Sequence, residues 1–321
     1  MAVNRDKPHR WKADIAQSVD MYNDWFMKFA PQAFRETRIQ TTSDVETALR
    51  LTNAVTRVQP ETIRNHPEIL PTLRMSTCPP LAVDRLIGLA GVSATLVKSM
   101  ELKKRLPPRM AAASIDRDLA RVAEIFEKMA DPDIFVWLER KSPPPSEVEI
   151  RRAATIVADR LCGAVANPII RNAQERRQFA AIKVWLQTRG YRELSSADRP
   201  RHDSMPVGTF AFRLNVPVKL EGGARAVNIP VDVAIQPKKG RKQKTPLFFE
   251  AKSAGDFTNT NKRRKEEAVK MAQLRHNYGK HVRFNLFLCG YFDTGYLGYE
   301  AAEGIDWVWE HRIDDFVKFG L

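Results

Sequence analysis

The sequence has little cysteine. Only Cys78, Cys162 and Cys289 occur in 321 residues, far apart in the chain and without a Cys-x-x-Cys pair. An odd and scattered set of this kind argues against a disulfide framework and against a zinc site. It indicates a reducing compartment, so we predict a cytoplasmic protein.

Long apolar segments and several common motifs are also missing. Around residue 90 the longest stretch without a charged residue is Leu86–Val97, which is too short to span a bilayer. The first residues, MAVNRDKPHRWKAD, show no apolar segment behind their positive charges, so no signal peptide is predicted. The sequence has no P-loop, G-x-G-x-x-G or G-x-S-x-G motif. We expect neither a membrane partner nor one of these phosphate-binding or hydrolase loops.

Positive charge is abundant. The chain has 52 Lys and Arg against 38 Asp and Glu, a net charge of +14 and a pI near 9.8. Such an excess predicts a nucleic-acid partner, because Lys and Arg replace counterions along the phosphate backbone. Residues 236–265 contain ten Lys or Arg and only Glu250 and Asp256 as acids. Seven basic residues are candidate phosphate contacts, with solvated loops as the alternative: Lys238, Lys239, Arg241, Lys242, Lys262, Arg263 and Arg264.

The first half of the sequence is typical of helices. From Trp11 to Phe29, apolar residues recur every three or four positions, and Pro31 is expected to end this helix. The triplet 143–145 is all proline, and Ser146 with Glu149 has the spacing of a capping box. We therefore predict a mainly helical domain over residues 1–145 and a second domain over residues 146–321.

The second domain changes from helix to strand. The pattern predicts a helix over 172–189 that ends at Gly190, strands over 209–218, 227–235 and 247–252, a helix over 262–278 and a strand over 284–291. In the second strand the alternation predicts that Val227, Ile229, Val231, Val233 and Ile235 share one face. The order α-β-β-β-α-β predicts a mixed central sheet flanked by helices.

Two carboxylates and a lysine are predicted to converge on this sheet. Glu250 and Lys252 are two residues apart on a strand, so their side chains point to the same side. Asp232 lies on the preceding strand, and pairing of the two strands would bring it to the same place. Two carboxylate ligands suit Mg²⁺, which activates water and neutralises phosphate charge, while Lys252 can orient the attacking water or stabilise the transition state.

The order of elements and the run Pro230-Val231-Asp232, seventeen residues, Glu250-Ala251-Lys252 resemble the PD-(D/E)XK nucleases. One residue intervenes here between the proline and the aspartate, which departs from the family pattern. The resemblance implies an α+β nuclease core with Asp232 and Glu250 as Mg²⁺ ligands and Lys252 as base or stabiliser. It also implies a further acidic residue from the preceding helix, matched by Glu175 with Gln174 as a weaker neighbour. A polar residue of the following helix, Lys270 or Gln273, is implied in the same way.

A closer resemblance is to the XamI family of type II restriction endonucleases, carried by residues 78–90 (CPPLAVDRLIGLA) and 167–175 (NPIIRNAQE). It implies a homodimer that cuts double-stranded DNA at a short palindrome such as GTCGAC. It further implies a cognate DNA methyltransferase as a genetic and not a physical partner. The helical domain would then serve dimerisation or DNA reading.

Other interpretations remain open. A DNA-repair or mobile-element nuclease would use the same core without a fixed recognition sequence. A non-catalytic DNA-binding protein, or a helical adaptor for an acidic protein, would share the basic surface without needing the carboxylates. Glu250 and Lys252 would then be an exposed ion pair on an edge strand, Asp232 a solvent-facing residue, and Glu175 a first-turn acid that favours its helix.

Overall fold

The computed structural model describes residues 2–140, 143–198, 200–219, 226–238, 245–258 and 260–321; of residues 260–264 it describes the backbone alone. Its helices are α1 Pro8–Leu51, α2 Pro60–Asn65, α3 Leu70–Met75, α4 Val83–Ala90, α5 Ala94–Lys103, α6 Ala112–Met129, α7 Glu147–Thr188, α8 Thr260–Tyr278 and α9 Thr294–Ala302, with 3-10 segments at Pro67–Ile69, Ser196–Asp198 and Glu310–Phe319. The strands are β1 Arg192–Glu193, β2 Thr209–Lys219, β3 Ala226–Gln236, β4 Leu247–Ala254, β5 Arg283–Gly290 and β6 Asp306–Trp309.

The chain divides into two compact units. The helical unit is Ala30–Ile170, and the sheet unit combines Met1–Phe29 with Arg171–Leu321. This division differs from the predicted boundary at residues 145 and 146. The N-terminal segment belongs to the sheet unit because the Asp306 carboxylate accepts the backbone N–H groups of Val3 and Asn4, at 2.6 and 2.9 Å. These contacts span about 300 residues, which no local pattern reveals.

The helical unit has its own apolar core, which includes the fully buried Leu86, Leu96 and Leu119. The predicted capping box is confirmed: Glu149 accepts the N–H of Ser146 at 2.8 Å, and Ser146 Oγ accepts the N–H of Glu149 at 3.3 Å.

In α7 one 18-residue window, with mean hydropathy 1.3, is apolar enough to cross a membrane by length and composition, and 44% of it is buried in the protein.

Two helices are longer than predicted. The expected end at Pro31 is wrong, because α1 continues through this proline to Leu51. The helix predicted from residue 172 is the last part of α7, which begins at Glu147 and passes through Pro168. A proline removes one helical hydrogen bond, and the burial of apolar residues such as Ala33 outweighs that loss. Gly190, with φ +73°, ends the helical region as predicted.

The sheet is mixed, as predicted, and its six strands lie in chain order. Strands β2, β3 and β4 pair antiparallel, whereas β4, β5 and β6 pair parallel and β1 pairs parallel with β2. One face packs against the end of α7 and the last 3-10 segment, through residues such as Trp185 and Phe316. The other face packs against α8, α9 and the start of α1, through residues such as Leu274, Leu297 and Trp11.

Strand β3 does not keep one apolar face, which corrects the predicted alternation. Ile229 and Val231 pack on the α8 side of the sheet, whereas Val233 and Ile235 pack on the α7 side. The change of face occurs at Asp232. The neighbouring strand changes face at the same level, where Arg213 has a left-handed backbone with φ +53°. This conformation costs a residue with a side chain about 1–2 kcal/mol, and such strain is often found near functional sites.

Candidate active site

Strands β3 and β4 separate at Asp232. The last residue pair between the two strands is Val233 with Phe249, although β4 continues to Ala254. Asp232 Oδ2 accepts the backbone N–H of Ala251 at 2.9 Å and so takes the place of a ladder hydrogen bond. The strand separation therefore holds the Asp232 carboxylate beside the segment that carries Glu250 and Lys252, as the sequence predicted.

Glu250 is buried and forms an ion pair with the half-buried Lys252. Their strand lies between β3 and β5, Glu250 is 5% exposed, and Lys252 Nζ is 3.4 Å from Glu250 Oε1. An exposed ion pair on an edge strand is thus the wrong description of these residues. Glu250 Oε2 is buried and has no hydrogen-bond partner among the described residues. An unpaired buried carboxylate oxygen is costly, so a ligand at this position would relieve it.

Helix α8 adds two charged side chains to the site. Lys270 Nζ is 2.6 Å from Glu250 Oε1 and 3.3 Å from the Pro230 carbonyl oxygen. Glu267 Oε1 is 2.9 Å from Lys252 Nζ. Sequence reasoning named Lys270 and missed Glu267, although its spacing from Met271 and Leu274 places it on the buried face of the helix. For the other candidate, Gln273, the described contact is its backbone carbonyl, which accepts from Asn277.

Burial governs the electrostatics of the cluster. Burial, followed by the charge of Glu250, raises the pKa of Asp232 from 3.8 to about 6. Burial by itself would lower the pKa of Lys252, but Glu250 and Glu267 outweigh it and the pKa is raised. Burial also raises the pKa of Glu267, an effect opposed by Lys252. Because the charge of Glu250 disfavours the ionised form of Asp232, the two carboxylates favour a bound cation.

Helix α7 forms the other wall of the site. Its residues Arg171, Gln174, Glu175 and Gln178 line a cleft of about 310 Å³ together with Asp232, Ala251, Lys252 and Ser253. Gln178 was missed by sequence reasoning; it is buried and donates to the carbonyl oxygens of Lys252 and Phe287 at 3.3 and 3.4 Å. These bonds fix the end of β4 against the helix.

Glu175 lines this cleft but is paired with another residue. Its Oε1 accepts from Arg213 at 2.9 Å, and both side chains are partly exposed. Glu175 lies well inside α7, so it is not a first-turn acid. Gln174 instead donates to the Tyr22 hydroxyl at 2.5 Å and is buried. The structure thus brings Glu175 into the same cleft as Asp232, on the opposite wall.

The site suits a hard divalent cation. No group of three or more His, Cys, Asp or Glu with metal-binding geometry occurs in the described part of the chain. The donor set here is two carboxylates, which fits Mg²⁺ because this ion keeps waters and takes substrate oxygens. Lys270 places an ammonium group against Glu250, which shows that a positive charge is accommodated there.

The basic residues predicted to contact phosphates are only partly described. Lys238 Nζ donates to the Arg189 carbonyl at 2.6 Å and lies 5.3 Å from the centre of the Tyr191 ring. Lys239, Arg241 and Lys242 lie outside the described residues, as do the side chains of Lys262, Arg263 and Arg264. Their contact with phosphates stays a prediction.

The sequence also matches known proteins. The sequence model of the XamI restriction endonuclease family matches residues 53–309. The type II restriction enzyme SalI of Streptomyces albus G is 53% identical over 320 residues, 99% of each chain. A crystal structure of protein VC1899 from Vibrio cholerae matches 91% of this chain and 56% of its own with 14% identity, but its TM-score of 0.28 supports no conclusion.

The matches define a restriction endonuclease, a type II site-specific deoxyribonuclease whose substrate is DNA. The chain belongs to the XamI restriction endonuclease family, since the family match covers most of its length. This membership sets aside the non-catalytic DNA-binding protein and the helical adaptor. It also leaves a repair or mobile-element nuclease without support.

Proposed function

We propose that this restriction endonuclease hydrolyses phosphodiester bonds of double-stranded DNA with Mg²⁺ held by Asp232 and Glu250 on a PD-(D/E)XK nuclease core. The observation that carries the proposal is the separation of β3 and β4. It lets the Asp232 carboxylate accept the Ala251 N–H, next to the buried Glu250 and the half-buried Lys252. Two converging carboxylates with a lysine suit hydrolysis of a phosphate diester.

Each residue then has a distinct task. When bound, Mg²⁺ supplies an acidified water and neutralises charge on the phosphate. Asp232 and Glu250 hold the ion, and the bond from the Ala251 N–H keeps the Asp232 carboxylate in place. Lys252 orients the attacking water and offsets the negative charge that develops as one P–O ester bond breaks. Gln178 keeps the Lys252 backbone fixed during this step.

The recognition site and assembly are further parts of the proposal. We propose a homodimer acting on a short palindrome, because a twofold protein then presents one site to each strand. GTCGAC is the target suggested by the family resemblance, with a methyltransferase for the same sequence as a genetic partner. The helical unit would serve dimerisation or DNA reading, and a cytoplasmic location remains a prediction.

A plasmid digest tests the proposed function. Purified protein is incubated with a plasmid of known sequence, with Mg²⁺ or with EDTA, beside the Glu250→Ala variant. Discrete fragments are expected only for the unchanged protein with Mg²⁺, and sequencing their ends gives the target. An intact plasmid in every reaction, or equal digestion in EDTA, would contradict the proposal.

Removing the ammonium group of Lys270 is expected to strengthen Mg²⁺ binding. Lys270 Nζ is 2.6 Å from Glu250 Oε1, so the ammonium group competes with the metal ion for this oxygen. For Lys270→Met, which keeps the length of the side chain, we expect Mg²⁺ to reach half-saturation at a concentration several-fold lower, measured by calorimetry without DNA. Lys265→Met, on an exposed position of the same helix, is the matched control. Weaker Mg²⁺ binding by Lys270→Met would show that this lysine supports the metal site.

Glu175→Gln tests whether Glu175 acts in the site. If Glu175 leaves Arg213 to join Asp232 across the cleft, the change should slow cleavage by roughly 10- to 100-fold, the usual effect of a supporting ligand in a metal site. Single-turnover rates with saturating Mg²⁺ measure this. Glu193→Gln, at another surface ion pair of the sheet unit, serves as the control. Equal rates for both variants would remove Glu175 from the proposed site.

A further inference from the structure

We propose that Glu267 of α8 fixes the Lys252 ammonium group and is thereby a positioning residue for DNA cleavage, an inference that rests on the proposed role of Lys252. Glu267 is not one of the three residues proposed above for the active site, Asp232, Glu250 and Lys252. In the described hydrogen bonds and ion pairs, it contacts neither of the two residues proposed to hold the metal. Its described ion pair is with Lys252.

The distances favour Glu267 as the anchor of the lysine. Lys252 Nζ is 2.9 Å from Glu267 Oε1 and 3.4 Å from Glu250 Oε1. Glu250 Oε1 is also shared with Lys270 at 2.6 Å. Once Glu250 holds a metal ion, its carboxylate has less negative charge to offer Lys252. Glu267 then remains as the carboxylate that keeps the ammonium group in place.

A role in holding Lys252 explains why a carboxylate is buried at position 267. The residue is 0% exposed, and neither side-chain oxygen has a hydrogen-bond partner of ordinary geometry among the described residues. A buried carboxylate is expensive to desolvate, and an apolar residue of similar volume at such a position is often as stable or more stable. Folding by itself therefore gives no reason for a carboxylate there, whereas holding Lys252 does.

Lys252 is held by two carboxylates, which restrict its side chain more than one would. The side chain is only 16% exposed, and it contacts Glu267 of α8 and Glu250 of its own strand. A flexible four-carbon side chain is otherwise free to turn away from the reacting phosphate. Because catalysis depends on positions within about 1 Å, loss of the anchor should slow the chemical step and leave DNA binding unchanged.

Glu300 of α9 supplies a matched control. It is 1% exposed, and burial, followed by the charge of Glu267, raises its pKa to about 8. The raised pKa favours the neutral form of Glu300 at pH 7, so we expect Glu300→Gln to remove little charge. Glu267→Gln is an equally small change in shape, but it removes the charge that faces Lys252.

The first test separates the rate of cleavage from DNA binding. Cleavage is measured at pH 7 with saturating Mg²⁺ over a range of DNA concentrations. We expect Glu267→Gln to lower kcat by roughly 10- to 100-fold with KM unchanged, and Glu300→Gln to stay close to the unchanged protein. Glu267→Met keeps the volume without the charge and serves if Glu267→Gln does not fold. Unchanged kcat in a folded Glu267 variant would overturn the inference.

The second test needs no activity. In ¹⁵N-lysine NMR spectra of the metal-free protein, a buried and ion-paired ammonium group exchanges slowly and gives a visible signal, which Lys252→Arg would identify. This signal should persist in Glu300→Gln and disappear in Glu267→Gln. Its persistence in Glu267→Gln would overturn the inference, even if the plasmid digest succeeds. Failure of that digest in the unchanged protein would instead contradict the proposed function, with the lysine contact still measured by NMR.

Discussion

Asp232→Asn is expected to abolish DNA cleavage and, without Mg²⁺, to make the folded protein more stable at neutral pH. The two effects have one cause. The Asp232 carboxylate is held in a half-buried place next to Glu250, which is useful for a metal ion and unfavourable without one. Asparagine keeps an oxygen that accepts the Ala251 N–H but carries no charge.

The sign of the pH dependence follows from the raised pKa. The carboxyl group loses its proton near pH 3.8 in the unfolded chain and near pH 6 in the folded protein. Between these values the folded state binds more protons, so its stability falls as pH rises from about 4 to about 6. The Asp232→Asn variant does not lose stability in this way. Compared with the unchanged protein, it should be more stable by about 1–3 kcal/mol at pH 7 and about equally stable near pH 4.

Thermal unfolding in EDTA at pH 4 and pH 7 measures this difference. Asp159→Asn, a change at an exposed carboxylate, is the control and should show no comparable gain. Adding Mg²⁺ at 100 times its Kd should stabilise the unchanged protein by about 2.7 kcal/mol and leave Asp232→Asn unaffected. Mg²⁺ stabilisation of the variant, or cleavage by it, would show that Asp232 is not a metal ligand.

Lys252→Ala is expected to reduce cleavage by about 10³-fold or more while DNA binding remains nearly intact, because the ammonium group acts on charge that develops only in the transition state. The change also leaves Glu267 buried without its described ion pair. Breaking a buried pair by removing one partner commonly costs about 3–5 kcal/mol, so the melting temperature should fall.

The measurements are single-turnover cleavage with Mg²⁺, DNA binding in EDTA and thermal unfolding. Lys280→Ala, at an exposed lysine that is not among the candidate phosphate contacts, controls for the loss of one positive charge. The double change Lys252→Ala with Glu267→Met should recover much of the stability and none of the activity. Cleavage by both Lys252→Ala and Asp232→Ala at the normal rate would refute the assignment of the site.

Local sequence patterns determined the main elements of this protein. The two-residue period of a strand put Glu250 and Lys252 on one side, and the order of helices and strands predicted the mixed sheet. The capping box at Ser146 marked the start of α7. These features depend on neighbouring residues, so periodicity and spacing were enough to find them.

Several other features of the protein were decided by tertiary structure alone. The change of face at Asp232 coincides with the left-handed backbone of Arg213 in the neighbouring strand, and no pattern within β3 indicates it. The contact of Glu267 with Lys252 requires α8 to lie on that face of the sheet. Apolar packing along α1 also outweighed the break expected at Pro31. Each of these outcomes depends on residues far apart in the chain, whose packing energies exceed the local preferences that a sequence displays.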